Sequence, residues 1–355
     1  MFAGVTPPTP IPPLPRYLAL AYTALVIYAS LHPFSGWRDL GVPALAFLDA
    51  GWPRYWTVFD LVVNVLAYIP LGYLLALALS RHTGRLLPAL LGAVLAAGIS
   101  FAVEALQTWL PTRVASNLDL ACNTLGALLG AFAAWRSGTR ALVWLARAER
   151  RLVAPVPHAD AGVVLLGLWL LTQLSPETLL FGAGDLRQLL GLAPGIAYAA
   201  PIFFALELTI IACNTVAIGL IARTLLAGRQ SALAVVFAFL LFALLIRALG
   251  AAVLIGPREA MAWLTPGAGL GLAIGGGLLA ALLFLPATWR IAVAAMALMA
   301  GAVLVNLAPA NPYSAAALAT WRQGHFLNFN GLTRLVASLW PFLTLPYLML
   351  LGRRL

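Results

Sequence analysis

The stretch DLVVNVL, residues 60–66, returns almost unchanged as DLACNTL, residues 119–125. Both copies lie in long apolar segments, although the chain has only 11 acidic residues in 355. Each copy places an aspartate and an asparagine four residues apart, which is about one turn of an α-helix. The repeat therefore predicts two helices that each present a carboxyl group and an amide on one face in apolar surroundings.

The composition around the repeat is typical of an all-α, polytopic membrane protein. Apolar residues make up 63% of the chain, charged residues 9%, and the mean hydropathy is +0.96. A helix needs roughly 20 residues to cross the apolar core of a bilayer. About ten transmembrane helices are predicted, at 17–34, 57–80, 86–110, 117–136, 161–176, 198–226, 231–255, 267–286, 288–308 and 332–351. The fifth of these segments is short and the eighth is Gly-rich.

The distribution of positive charge fixes the expected orientation. All 21 basic residues are arginine, and they lie singly or in small groups at the ends of apolar segments, which argues against a nucleic-acid partner and for membrane lipids as the surroundings. With a cytoplasmic N-terminus, 13 arginines fall inside and 7 outside. The positive-inside rule therefore predicts that both termini are cytoplasmic.

Four regions are expected along the chain. Residues 1–16 read as a disordered, Pro-rich cytoplasmic tail, and 17–136 as a four-helix membrane domain. The basic segment 137–160 resembles an amphipathic helix on the cytoplasmic face, and 161–355 reads as a C-terminal domain of about six helices. Cys122 and Cys213 are expected to be buried, unpaired thiols.

Polar residues of three successive spans are expected to meet near the outer surface. Asn64 and Asn123 both fall roughly 10 Å below the outer ends of their helices. The third span places Ser100, Glu104 and Gln107 on one face. Arg113, in the outer turn after that span, is expected to cover the carboxylates and pair with one of them. The predicted binding set is Asp60, Asn64, Ser100, Glu104, Gln107, Arg113, Asp119 and Asn123, with Glu104, Asp60 and Asp119 as candidate catalytic groups.

A structural interpretation competes for the two aspartates. Thr57 and Asn117 are suitable N-caps, and an acidic residue in the first turn stabilises any helix that begins there. Glu104 is different, because it lies inside its helix near the C-terminal end, where the helix dipole disfavours negative charge. A site-forming role is therefore favoured for Glu104, while capping and binding remain open for Asp60 and Asp119.

The order of these residues resembles the VanZ-like family of bacterial membrane proteins. The resemblance covers about residues 17–136 and rests on Asp60, Asn64, Pro70, Gly72, Ser100, Glu104, Gln107, Arg113, Asp119, Asn123, Gly126 and Gly130. It implies a multi-pass protein of the bacterial inner (plasma) membrane that is concerned with the cell envelope. It also implies a relation to low-level resistance to the glycopeptide teicoplanin. It supplies no reaction.

Two functions stay open at this point. The polar layer either binds, and by general acid–base chemistry modifies, a lipid-linked or amphiphilic envelope precursor, or it lines the path of a transporter or flippase. A scaffold with neither activity is the simplest alternative. No motif for a metal, a nucleotide or another cofactor is recognised.

The C-terminal region contains fewer buried polar residues. Glu207 and Arg247 fall at similar depths in neighbouring spans, so a structural ion pair between them is expected. Gly267, Gly271 and Gly275 recur at four-residue spacing and are expected to allow close helix packing.

Overall fold

The structure is a computed structural model that describes residues 13–53, 55–80, 84–175, 177–228, 231–309, 311 and 327–354. Within them the chain is helical and forms no sheet. Residues 1–12 of the expected tail lie outside the described residues, and the first helix begins at Leu14, three residues earlier than predicted. The helices are α1 Leu14–Leu31, α2 Ala46–Asp49, α3 Val58–Leu79, α4 Leu86–Gln107, α5 Asn117–Leu152, α6 Ala159–Thr172, α7 Arg187–Leu190, α8 Ala200–Leu225, α9 Ala232–Leu254, α10 Pro266–Leu282, α11 Ala287–Leu307 and α12 Leu327–Gly352.

Ten apolar helices in the described residues correspond to the ten predicted spans. Eight of them are long and apolar enough to cross a membrane. The other two are α6, with 14 residues, and α10, with 17. They are the segments whose sequences are short or Gly-rich, and at 1.5 Å per residue they extend only about 21 and 26 Å. The protein is an all-α, multi-pass membrane protein.

The chain divides into two compact units, Met1–Glu149 and Arg150–Leu355. Helix α5 is 36 residues long and runs without interruption from the polar repeat into the basic segment. Residues 137–152, predicted to lie in a separate amphipathic element, are therefore the continuation of α5. Cys122 and Cys213 are free, partly buried thiols.

Helices α1, α3, α4 and α5 form the core of the first unit, and α3 and α5 pack closely within it. A methyl group added to Gly126 or Gly130 would overlap the backbone carbonyl of Val65 or Ile69 on α3. From the other side, a methyl group on Gly72 would overlap the carbonyl of Ala127. Glycine at these positions lets two backbones approach closely, as is common between membrane helices. The polar repeats of α3 and α5 are thereby held next to each other.

Helix α8 is the central element of the second unit, and most of its length is buried between α10 and α11. The predicted role of the α10 glycines is confirmed. A methyl group on Gly271 would lie 2.8 Å from the Leu208 carbonyl oxygen, and one on Gly275 would lie 2.8 Å from the Cα of Ala212.

Candidate functional site

The start of α3 is a complete capping box. The Asp60 backbone N–H donates to Thr57 Oγ1 over 3.1 Å, and the Thr57 backbone N–H donates to Asp60 Oδ2 over 3.2 Å. The Thr57 hydroxyl adds a further bond to the same carboxylate oxygen at 2.6 Å. Asp60 is solvent-exposed. Its carboxylate therefore stabilises the helix start, and capping accounts for its position.

The start of α5 also has a hydroxyl residue at the N-cap and an aspartate three residues later, but their hydrogen bonds differ from those of α3. Its N-cap is Ser116 and not Asn117, because the Asp119 N–H donates to Ser116 Oγ at 3.2 Å. Asn117 instead donates to the Ala50 carbonyl oxygen at 2.6 Å. In a capping box Asp119 would accept the Ser116 backbone N–H, but that donor goes to Glu104 Oε2 at 2.8 Å. Glu104 of α4 thus takes the place that Asp60 holds in α3.

Because Glu104 accepts the Ser116 N–H, the Asp119 carboxylate is available for another partner. Its Oδ1 accepts a hydrogen bond from Asn64 Nδ2 at 2.8 Å, which joins the two repeats across the α3–α5 interface. Asn123 makes the corresponding bond to α4, with its Nδ2 donating to Ser100 Oγ at 2.9 Å. The structure therefore brings Asn64, Ser100, Glu104, Asp119 and Asn123 together between α3, α4 and α5.

Two members of the predicted set face α1 instead. Gln107 donates to the Ser30 carbonyl oxygen at 2.9 Å. Arg113 donates to the His32 carbonyl oxygen at 2.8 and 3.0 Å and to the Ala29 carbonyl oxygen at 3.2 Å. No carboxylate in the described residues lies within ion-pair distance of Arg113.

The expected arginine cover over the carboxylates is therefore wrong. The last carbonyls of a helix have no partner within the helix, and those of α1 attract the Arg113 guanidinium group. Partial burial lowers the pKa of Arg113 from its ordinary value. Arg113 fastens the outer turn to α1 and leaves the site rich in hydrogen-bond acceptors.

Tyr68 belongs to this cluster, although sequence reasoning missed it. Its side chain is 3% exposed and lies within electrostatic range of Glu104. Its hydroxyl lies close to Ser100, but the angles do not meet those of a hydrogen bond, and neither this hydroxyl nor Asn123 Oδ1 has a partner in the described part of the chain. The available signal was its spacing, since Asp60, Asn64 and Tyr68 follow one another every four residues.

Exposed aromatic residues precede the capping box of α3. Trp52, Tyr55 and Trp56 are 73, 94 and 51% exposed. Aromatic side chains of this kind favour the interface between lipid and water. The aromatic segment therefore leads directly into the start of α3, which carries the exposed Asp60 and the partly buried Asn64.

The ion pair expected in the second unit is absent from the structure, which describes both residues. Glu207 accepts a hydrogen bond from Thr265 Oγ1 at 2.7 Å. Arg247 donates to the backbone carbonyls of Ser175 and Thr178. Equal depth did not bring the two charges together, because each side chain is on a helix face that meets a different neighbour.

Comparison with known proteins supports the resemblance of the first unit. Residues 17–140 match the family model VanZ/LLP1. No curated protein and no solved structure matches the chain. The match covers α1, α3, α4 and the part of α5 that carries the polar cluster, and it does not extend to the second unit. Residues 17–140 are thus assigned to the VanZ-like family.

Proposed function

We propose that the VanZ-like domain binds the polar headgroup of a cell-envelope amphiphile, in the inner membrane of a bacterium. The binding groups are the partly exposed Asn64 and Asp119, and the buried Asn123 and Tyr68 belong to the same cluster. Asp60 is engaged in the capping box of its own helix. The observation that carries the proposal is the bond from Ser116 to Glu104. Because Glu104 accepts the N–H of the α5 N-cap residue, the Asp119 carboxylate does not cap its own helix, whereas the Asp60 carboxylate does.

The free hydrogen-bonding capacity of the cluster indicates the chemistry of the ligand. Asn123 Oδ1 is a buried acceptor without a partner in the described residues, and the Tyr68 hydroxyl can donate or accept. Asp119 adds a carboxylate group, whereas the Arg113 guanidinium group is bonded to carbonyls at the end of α1. Such a site favours donors, so the headgroup is expected to carry hydroxyl or ammonium groups rather than a phosphate.

The surroundings favour an amphiphile over a small soluble ligand. The polar groups lie in helices whose outer surfaces are apolar, and an exposed aromatic segment precedes them. A ligand with a polar headgroup and an acyl chain would satisfy both environments. Teicoplanin has this character.

A chemical role would fall to Asp119 before Glu104. Asp119 is partly exposed, while Glu104 is 3% exposed and holds the N-cap of α5. Both carboxyl groups lie within electrostatic range of each other, an arrangement that can separate a proton donor from an acceptor. Binding requires neither role and is the simpler proposal.

Transport through the same layer is the weaker alternative. The glycine contacts of Gly72, Gly126 and Gly130 close the α3–α5 interface directly below the polar cluster. Passage between these helices would require them to separate. The described conformation therefore supports binding from one side of the membrane more than a continuous path.

The experiment measures binding of teicoplanin to the full chain in lipid nanodiscs. Asp119→Asn keeps an acceptor for Asn64 but removes the charge, and it is expected to weaken binding about tenfold, as for loss of one charged hydrogen bond. Asp60→Asn is the matched control and is expected to change binding less than about threefold. Deacylated teicoplanin should bind more weakly than the intact molecule. Unchanged binding by a folded Asp119→Asn variant would refute the proposal.

A further inference from the structure

Two arginines of the second unit lie on packed helices, within electrostatic range of each other and without an ion-pair partner in the described residues. Arg223 is in the last turn of α8, and Arg290 is in the first turn of α11. These helices pack against each other, and the two guanidinium groups are close enough to repel. Neither Arg223 nor Arg290 forms an ion pair with a carboxylate of the described residues.

The hydrogen bonding of the couple is also incomplete. Arg290 donates to the Leu285 carbonyl oxygen at 2.8 Å, and Arg223 makes one long contact of 3.5 Å with the Leu226 carbonyl oxygen. The Nε of each guanidinium group is buried and has no partner in the described residues. A buried charged donor without an acceptor is costly, and an anion would satisfy both groups together.

Helix electrostatics add a separate argument for Arg290. A cation in the last turn of a helix is favourable, which explains Arg223, but a cation in the first turn is not. The N-terminus of α11 carries no side-chain cap and no acidic residue. An anion beside Arg290 would be attracted by the guanidinium group and by the positive end of the helix dipole.

We propose that Arg223 and Arg290 bind the phosphate group of an anionic phospholipid at the cytoplasmic end of the second unit. Phe284, in the turn between α10 and α11, is 78% exposed, and Trp289, in the first turn of α11, is 63% exposed. Large exposed apolar groups beside a charged pair fit a lipid with its phosphate at the interface. The positive-inside rule places this end in the cytoplasm, where a lipid of the inner leaflet would reach it.

The test uses the full chain in detergent, with phosphatidylglycerol, phosphatidylcholine and inorganic phosphate as three separate probes. Native mass spectrometry counts bound lipid, and thermal unfolding reports binding independently. The wild type is expected to prefer phosphatidylglycerol over phosphatidylcholine. Arg223→Gln and Arg290→Gln are each expected to reduce that preference about tenfold, since each removes a guanidinium–phosphate contact.

The control is Arg258→Gln, which removes the same charge from an exposed position in the 3₁₀ turn after α9. It is expected to keep the preference. Equal loss in all three variants, or none in the first two, would overturn the proposal. Stabilisation by inorganic phosphate equal to that by phosphatidylglycerol would overturn the assignment to a lipid. If the glutamine variants do not fold, Arg290→Lys decides, with weaker lipid binding in support and unchanged binding against.

Discussion

Replacing Glu104 by alanine or by glutamine distinguishes its role as a hydrogen-bond acceptor from its role as a negative charge. Alanine removes the acceptor of the Ser116 N–H, a bond of 2.8 Å between residues that are 3 and 7% exposed. A buried donor left without an acceptor costs about 1–3 kcal/mol, and the one lost methylene adds about 0.8 kcal/mol. Glu104→Ala is therefore expected to lower the free energy of unfolding by about 2–4 kcal/mol. Glu104→Gln keeps an acceptor oxygen and is expected to cost less than about 1 kcal/mol.

The assay is reversible unfolding in mixed detergent, combined with hydrogen exchange at the Ser116 amide. Glu104→Ala should expose that amide to exchange, and Glu104→Gln should leave it protected. Asp60→Asn, which removes the same charge from the exposed cap of α3, should leave it protected as well. If Glu104→Gln lowers the free energy of unfolding as much as Glu104→Ala, the negative charge of Glu104 stabilises the protein rather than its acceptor oxygen. The conclusion that Glu104 caps α5 in place of Asp119 would then be refuted.

Three further predictions concern packing and charge. Gly130→Ala is expected to lower the free energy of unfolding by about 1–3 kcal/mol, because its methyl group would overlap a backbone carbonyl of α3. Gly98→Ala, with open space around it, should be neutral or stabilising, and equal stability of the two variants would contradict the packing. Arg113→Met should cost about 1.5–3 kcal/mol through its lost bonds to α1, and an unchanged unfolding midpoint would show that these bonds do not form. A double-mutant cycle between Glu207→Gln and Arg247→Gln should give a coupling energy below about 0.5 kcal/mol, whereas a larger attractive coupling would restore the ion pair.

Helical rise and period predicted a layer formed by Asp60, Asn64, Ser100, Glu104, Gln107, Arg113, Asp119 and Asn123. The structure joins Asn64 to Asp119 and Asn123 to Ser100, whereas Glu104 bonds to the Ser116 N–H. Depth says nothing of how each helix is rotated about its axis. That rotation is set by packing, and it turned Gln107 towards α1.

The choice of partners could not be read from the chain. Arg113 bonds to carbonyls more than 80 residues away, and its direction depends on where α1 ends. The same holds for Arg247, whose partners belong to the turn after α6. A long cationic side chain takes the best acceptor within reach, and backbone carbonyls at helix ends do not show in a residue pattern.

Hydropathy and helical period act locally along the chain, so the membrane class, the helices and the Asp–Asn spacing were predictable from the residues. The different hydrogen bonding of the two repeats depends on contacts between distant segments. Glu104, which is distant from Asp119 in sequence, takes over the cap of α5 and leaves one aspartate free while the other is bound to its own helix start. A hydrogen bond between elements depends on their relative position, and the close glycine packing of α3 on α5 fixes that position.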